Sequence, residues 1–306
     1  MNINLVPDIY HYPHIFNSHK DEKLVVFIGA GVPALWGCSL WKNMASALVH
    51  RCYEHGFLDY WATNKLLHKY ADSPRKLITI TKNILDSKYL PELEKTLGVL
   101  EDRKKKMPNI FRNLFSLNAV FITTNIDSNF DELFDKNKIH TDPNKFFQSD
   151  FQVKNLFHLH GVLSEPKSLV LTMNEYVDRY QNTNFTRFLE NIFFDEKYCI
   201  LFIGYGVDEL EIIDFMAEKY SKGEKSLTKY LNRFYILLPF FKNEETLFKY
   251  ERLYFSQINM TPIPYAIDEK GYDQLYYVLD VWKDKLTKPE QGDPFYNFNQ
   301  IIDNNL

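Results

Sequence analysis

Four short stretches hold the residues best suited to chemistry: "GAGVP" at 29–33, "TTNID" at 123–127, "HLHG" at 158–161 and "GYGVDE" at 204–209. His158 and His160 stand two apart, so on a strand both imidazoles point to one face. Such a pair could chelate a metal, pack in a core, or include a base titrating near neutral pH. No neighbouring carboxylate or thiol completes a metal site around it. Gly29 and Gly31 let a backbone approach a pyrophosphate closely, and the start of a following helix suits that charge. Asp127 could cap a helix or face a ligand, whereas Asp208 reads as a helix N-cap or first-turn residue. Singly each stretch says little, because a Gly-x-Gly turn often holds nothing and a strand histidine is usually a core residue. Together they share one position: each lies at the end of a predicted strand.

Those strands follow from the apolar pattern. Leu24 to Trp41 runs eighteen residues without a charge, a length that suits a bilayer crossing. Gly29, Gly31, Pro33 and Gly37 break it, leaving a short buried strand at 24–28 and a glycine turn. A helix follows from about Leu40 to His55, and several more are expected to residue 116, making a helical insertion of about 42–116. Ser73-Pro74 starts one of them, and Leu93, Leu97 and Leu100 mark another at helical spacing. "EDRKKK" reads as a solvated helix end. Strands are then expected in "NAVFITTN", "NLFHLHG", "SLVLT", "YCILFIGYG", "RFYILLPF" and "MTPIPYAI". Helices are expected at "IDSNFDELF", after Thr172 with Glu175 at capping-box spacing, at "DELEIIDFMAEKY", and near 244–255 and 272–286. Near-continuous apolar strands alternating with helices predict an α/β, Rossmann-like parallel sheet with helices on both faces. The expected organisation is an N-terminal arm at 1–23 that includes "HYPH", one domain at 24–286 and a tail at 287–306. In such a sheet ligands collect at the carboxyl ends of the strands, where the four stretches fall.

Composition narrows the classes. A hydrophobic share of 45% and a charged share of 25% are those of a soluble globular protein. A net charge of −4 argues against nucleic-acid binding by the surface as a whole. Cys38, Cys52 and Cys199 are far apart and form no Cys-x-x-Cys pair, which removes a disulfide scaffold and a zinc ribbon. With no secretory pattern at the start and no apolar span, a cytoplasmic protein is expected.

"GAGVP" departs from the dehydrogenase fingerprint: the third glycine would fall at Ala34, and no strand ending in Asp or Glu follows about twenty residues on. The order "GAG", "TTNID", "HLHG", "GYG" resembles the sirtuin family over roughly 24–285. More closely it resembles the zinc-free, sirtuin-like NAD-cleaving domains of bacterial anti-phage defence systems. The resemblance implies that Gly29, Ala30 and Gly31 line the phosphates of NAD+, and that Thr124, Asn125 and Asp127 surround nicotinamide and its ribose. It makes His160 the catalytic histidine, and sets Gly204, Tyr205 and Gly206 by the adenosine half with "MTPIPYAI" near the adenine. Protein-deacylating sirtuins carry a four-cysteine zinc module after the histidine; residues 162–198 hold no cysteine, so no zinc is expected. Pro33 also stands where the family often has Ser.

NAD+ glycohydrolysis is the activity this resemblance implies, with NAD+ as substrate and its depletion as an anti-phage defence. Breaking the nicotinamide–ribose bond passes through an oxocarbenium-like state, as glycoside hydrolysis does. His160 would be the general base, Asn125 would position ribose or water, and Asp127 would accept from the carboxamide. The alternatives are an NAD-dependent protein deacylase and a non-catalytic module binding NAD or ADP-ribose. Family analogy adds a homo-oligomer and a partner ATPase of the HerA-type hexameric translocase class, with no membrane and no direct nucleic-acid contact.

Overall fold

The computed structural model describes residues 3–98, 108–206, 212 and 233–287. The "EDRKKK" run with Leu100, Asp208 and the helix expected after it, and the tail from residue 288 lie outside the described residues. Among the described residues seven strands form one parallel sheet: β1 (Leu24–Ile28), β2 (Ala119–Thr123), β3 (Ile139–His140), β4 (Leu156–His158), β5 (Cys199–Ile203), β6 (Phe234–Phe240) and β7 (Met260–Ala266). Their order is β3-β4-β2-β1-β5-β6-β7. From β1 the chain builds outward through β2, then returns to lay β5 on the other side of β1. The loops after β1 and β5 therefore meet at the point where strand order reverses, the position where such sheets bind ligands.

β1, β2 and β5 are buried at every position. Alternate residues feed two cores, as a strand's two-residue period requires. Val25, Phe27, Ile122 and Phe202 face one layer with Phe185, Phe188, Phe193 and Phe255. Leu24, Val26, Phe121 and Leu201 face the other with Ile15, Phe111, Val278 and Trp282. The helices are, in chain order, α1 (Pro13–Lys20), α2 (Gly31–Leu35), α3 (Trp41–Glu54), α4 (Tyr60–Lys69), α5 (Pro74–Leu85), α6 (Tyr89–Leu97), α7 (Ile110–Phe115), α8 (Met173–Gln181), α9 (Thr183–Phe194), α10 (Glu245–Ser256) and α11 (Gln274–Thr287). The architecture is α/β and Rossmann-like, with helices on both faces. Within the insertion, α3, α5 and α6 make a third core from Met44, Leu48, Ile78 and Leu93, and this core also takes in Ile126 and Leu171. The insertion thus leans on the loop that follows β2.

Three local expectations need correction. "SLVLT" is no strand: Pro166–Ser168 is a 3-10 turn, and a single ladder-like bond joins Val170 N to His160 O at 3.0 Å. Arg179 takes the Ser168 carbonyl instead, at 2.9 Å. "IDSNFDELF" is not an α-helix but one 3-10 turn, Asp131–Leu133: the Asp127 carboxylate closes a local turn on Asn129 N, and the Asp131 carboxylate meets His158. The start of the chain, expected as an arm, is packed: Ile9 and Ile15 are fully buried, and Trp282 Nε1 donates to Pro7 O at 2.7 Å. Among the described residues no helix is long and apolar enough to cross a membrane.

Candidate functional site

The parallel register aligns the strand ends: Ile28 lies opposite Thr123 and Ile203, and Thr123 lies opposite His158. At the reversal point Gly29 N donates to Ile203 O at 2.9 Å and Gly31 N to Gly204 O at 2.8 Å. A Cβ on Gly29 would stand 2.6 Å from Gly204 O, and one on Gly31 2.8 Å from the same atom. Gly204 has φ +71°, and a Cβ there would lie 2.7 Å from Val32 N. These glycines are required by the contact of two loops. The amides of Gly29 and Gly31, expected to cradle phosphates, are spent on the carbonyls of Ile203 and Gly204 in this geometry.

Asn125 ties the second loop to the first. Its Nδ2 donates to Gly29 O at 3.0 Å and Ile28 O at 3.3 Å, and its backbone N donates to Thr123 Oγ1 at 3.0 Å. Thr123 Oγ1 in turn donates to Ile28 O at 2.9 Å. Beside these bonds Ala30, Pro33, Cys38, Trp41, Asn125 and Asp127 line a small open cleft of about 20 Å³. That is room for about one water molecule. Asp127 accepts from Asn129 N at 3.1 Å and Asn129 Nδ2 at 2.6 Å, a local turn that fixes one carboxylate oxygen. Burial holds its carboxyl above the ordinary range, against the pull of Asn129 and His158. Asn129 also bonds Cys38 Sγ at 3.2 Å, linking the loop to the opposite wall.

The two histidines do different things. His158 is 1% exposed, with Nδ1 at 3.2 Å from Asn125 O and Nε2 at 2.9 Å from Asp131 Oδ1. Burial opposes its charge, but Asp131 outweighs burial and the imidazole pKa is raised. His160 is 2% exposed and sits in a box of tyrosines. Tyr180 OH is 3.4 Å from its Nε2, Tyr176 OH donates to Tyr180 OH at 3.1 Å, and the Arg75 guanidinium lies 3.8 Å from the Tyr176 ring centre. Burial, then Arg179 and Arg75, push its pKa down to about 3. The expected base near neutrality is therefore, in this geometry, a neutral and covered imidazole.

The sheet thus gathers Ala30, Asn125 and Asp127 in one cleft, with Gly29, Gly31 and Gly204 as the junction behind it. Thr124 Oγ1 reaches Tyr205 OH at 3.4 Å, while Gly206 is exposed at the edge of the described residues. His160 is on the neighbouring strand end and outside the cleft lining. Sequence reasoning missed Arg75, Tyr176, Tyr180 and Asn129. Tyr176 and Tyr180 carried a signal, standing one helical turn apart behind a capping box; Arg75 carried none. Among the described residues no three His, Cys, Asp or Glu side chains group as a metal site. Residues 119–263, from β2 into β7, match a family model described as a SIR2-like domain. The match leaves the β1 glycine turn and the whole helical insertion outside it.

Proposed function

We propose that this chain, a carrier of a SIR2-like domain, hydrolyses NAD+ to nicotinamide and ADP-ribose. SIR2-like proteins are usually NAD-dependent enzymes. One observation carries the proposal: Ala30, Asn125 and Asp127 line a single cleft at the carboxyl edge of the sheet, beside the strand-order reversal. The C1′–N bond breaks with its electron pair going to nicotinamide, which leaves neutral from a cationic ring and needs no acid. The oxygen of a water bonds to C1′, and the water's proton passes to His160 or to solvent. Asn125, whose Nδ2 is committed to β1 carbonyls, offers Oδ1 to a ribose hydroxyl or to that water. Asp127 offers its carboxyl to the carboxamide.

Nicotinamide release from NAD+ by the purified chain tests this directly. His160→Ala and Asn125→Ala are each expected to slow release by about 10²–10⁴-fold, the usual worth of a positioned base or its partner. Release at the wild-type rate from both variants refutes the assignment. The burial and low basicity of His160 favour a second reading, a module that binds ADP-ribose without cleaving NAD+. It predicts ADP-ribose binding that His160→Ala leaves unchanged, with no nicotinamide formed. The defence role is tested by cellular NAD during phage infection, which should fall with the wild type and hold with Asn125→Ala.

A further inference from the structure

We propose that His158 is a positioning residue: held as an imidazolium between the Asn125 carbonyl and the Asp131 carboxylate, it sets the loop that presents Asn125 and Asp127 to the cleft. The proposal rests on the NAD+ reading only for the consequence of that positioning, not for the charge state. Both ring nitrogens face acceptors, a backbone carbonyl at 3.2 Å and a carboxylate at 2.9 Å. A neutral imidazole has one N–H, so it would turn a lone pair toward one of them; the cation donates to both. At 1% exposure no bulk water reaches the ring to repair such a mismatch. The charged groups that act on His158 are Asp131, in contact, and Asp127, through space. A buried cation between two carboxylates is compensated where a lone one is not.

The position of the strut gives it its effect. Pairing of β2 with β4 runs from Phe121 to Thr123, and Leu159 N extends it by one bond to Thr123 O at 2.8 Å. Beyond that point the ladder no longer holds the chain, and the His158 bonds begin. They grip the loop at Asn125 and again at Asp131, with Asp127 between. Asn125 Nδ2 meanwhile fastens the same loop to β1. His158 does not line the cleft, so it acts only through the residues it holds.

Nitrogen-15 NMR of the full chain labelled at its nine histidines tests the charge state, the His158 signal being the one lost in His158→Gln. At pH 8, where an ordinary histidine of pKa about 6.5 is neutral, both His158 nitrogens should be protonated. One protonated nitrogen at pH 8 overturns the strut, whether or not the chain cleaves NAD+. Asp131→Asn, of equal size, should release one ring proton by pH 8, and amide exchange across 124–131 should quicken in both variants. Unchanged exchange overturns the positioning role, again without reference to activity. With a wild type that cleaves NAD+, each variant should lose on the order of 10²-fold in kcat when assayed below its own melting temperature. Unchanged kcat in both removes the catalytic consequence. If the wild type releases no nicotinamide, the NAD+ reading fails and the spectra and exchange still decide the strut.

Discussion

His160 shows how far a residue's type can be read and where its behaviour departs. The sequence marks it by spacing alone, two after His158 and just before Gly161. Its basicity is set first by burial beneath Tyr176 and Tyr180 and then by Arg179 and Arg75, which are brought together only in three dimensions. The consequence is a pH dependence with a definite sign. The folded pKa is about 3 and the unfolded value about 6.5, so below pH 6.5 the unfolded chain binds a proton that the folded chain refuses. Stability from this ring is complete above 6.5 and falls as pH drops toward 3. At pH 5 the loss amounts to about 2 kcal/mol. Urea denaturation of wild type and His160→Gln at pH 7.5 and pH 5 measures it: the variant should lose less on acidification, and equal losses would contradict the burial. The glycines give a second residue-scale test. Their Gly-x-Gly spacing was legible, but its meaning was not, since the atom each Cβ would strike belongs to a loop some 170 residues away. Gly204→Ala, at φ +71° and 2.7 Å from Val32 N, should cost at least about 1–3 kcal/mol. A denaturation midpoint equal to wild type would mean the loops are not in contact.

At the scale of elements, legibility followed the source of each element's stability. β1, β2 and β5 are written in runs of buried apolar residues, and α8 in the Thr172–Glu175 capping box, which forms as spaced. "SLVLT" has the same apolar texture as a strand, yet Leu169 and Leu171 are drawn into the insertion's core and Arg179 takes the carbonyl of Ser168. The two-residue β3 has no apolar signature, since its register with Leu156 and Phe157 is set by the neighbour. The insertion also reaches the site through α5, which no periodicity reveals. Arg75 covers the Tyr176 ring, Thr79 Oγ1 accepts from Met173 N at 3.3 Å, and Lys82 pairs with Glu175. All three partners belong to α8, the helix that closes over His160. Replacing Arg75 and Lys82 together by Ala should loosen that helix and quicken modification of His160 by diethylpyrocarbonate, read by mass spectrometry. A rate unchanged from wild type would show that α8 stays closed without the insertion.

For the whole molecule, the parallel sheet and the edge where the site lies were legible because parallel strands must return the chain to the same edge, whereas the strand order was not. The attachment of the first twenty residues was not, because "HYPH" and its surroundings show neither helical nor strand periodicity. What fixes them is long-range. Ala266 N donates to Asn4 O at 2.8 Å, extending the edge past β7, and Trp282 of α11 donates to Pro7 O at 2.7 Å. Ile3, Ile9 and Ile15 are 4%, 0% and 0% exposed, so each contributes about 1.5–3 kcal/mol by leaving water. Their sum is of the order of a domain's entire stability, about 5–15 kcal/mol. Removing residues 1–20 should therefore abolish cooperative unfolding rather than lower its midpoint, and strip the cover from Leu24 and Cys199. Trp282→Phe isolates one link: it keeps the ring in the core and leaves the Pro7 carbonyl without its donor, at a cost of about 1–3 kcal/mol. Thermal and urea melts of both proteins decide the matter. A truncated chain that melts cooperatively near the wild-type temperature would establish that the segment is an appendage after all, and that α2, α7 and α11 suffice to close the sheet on this face.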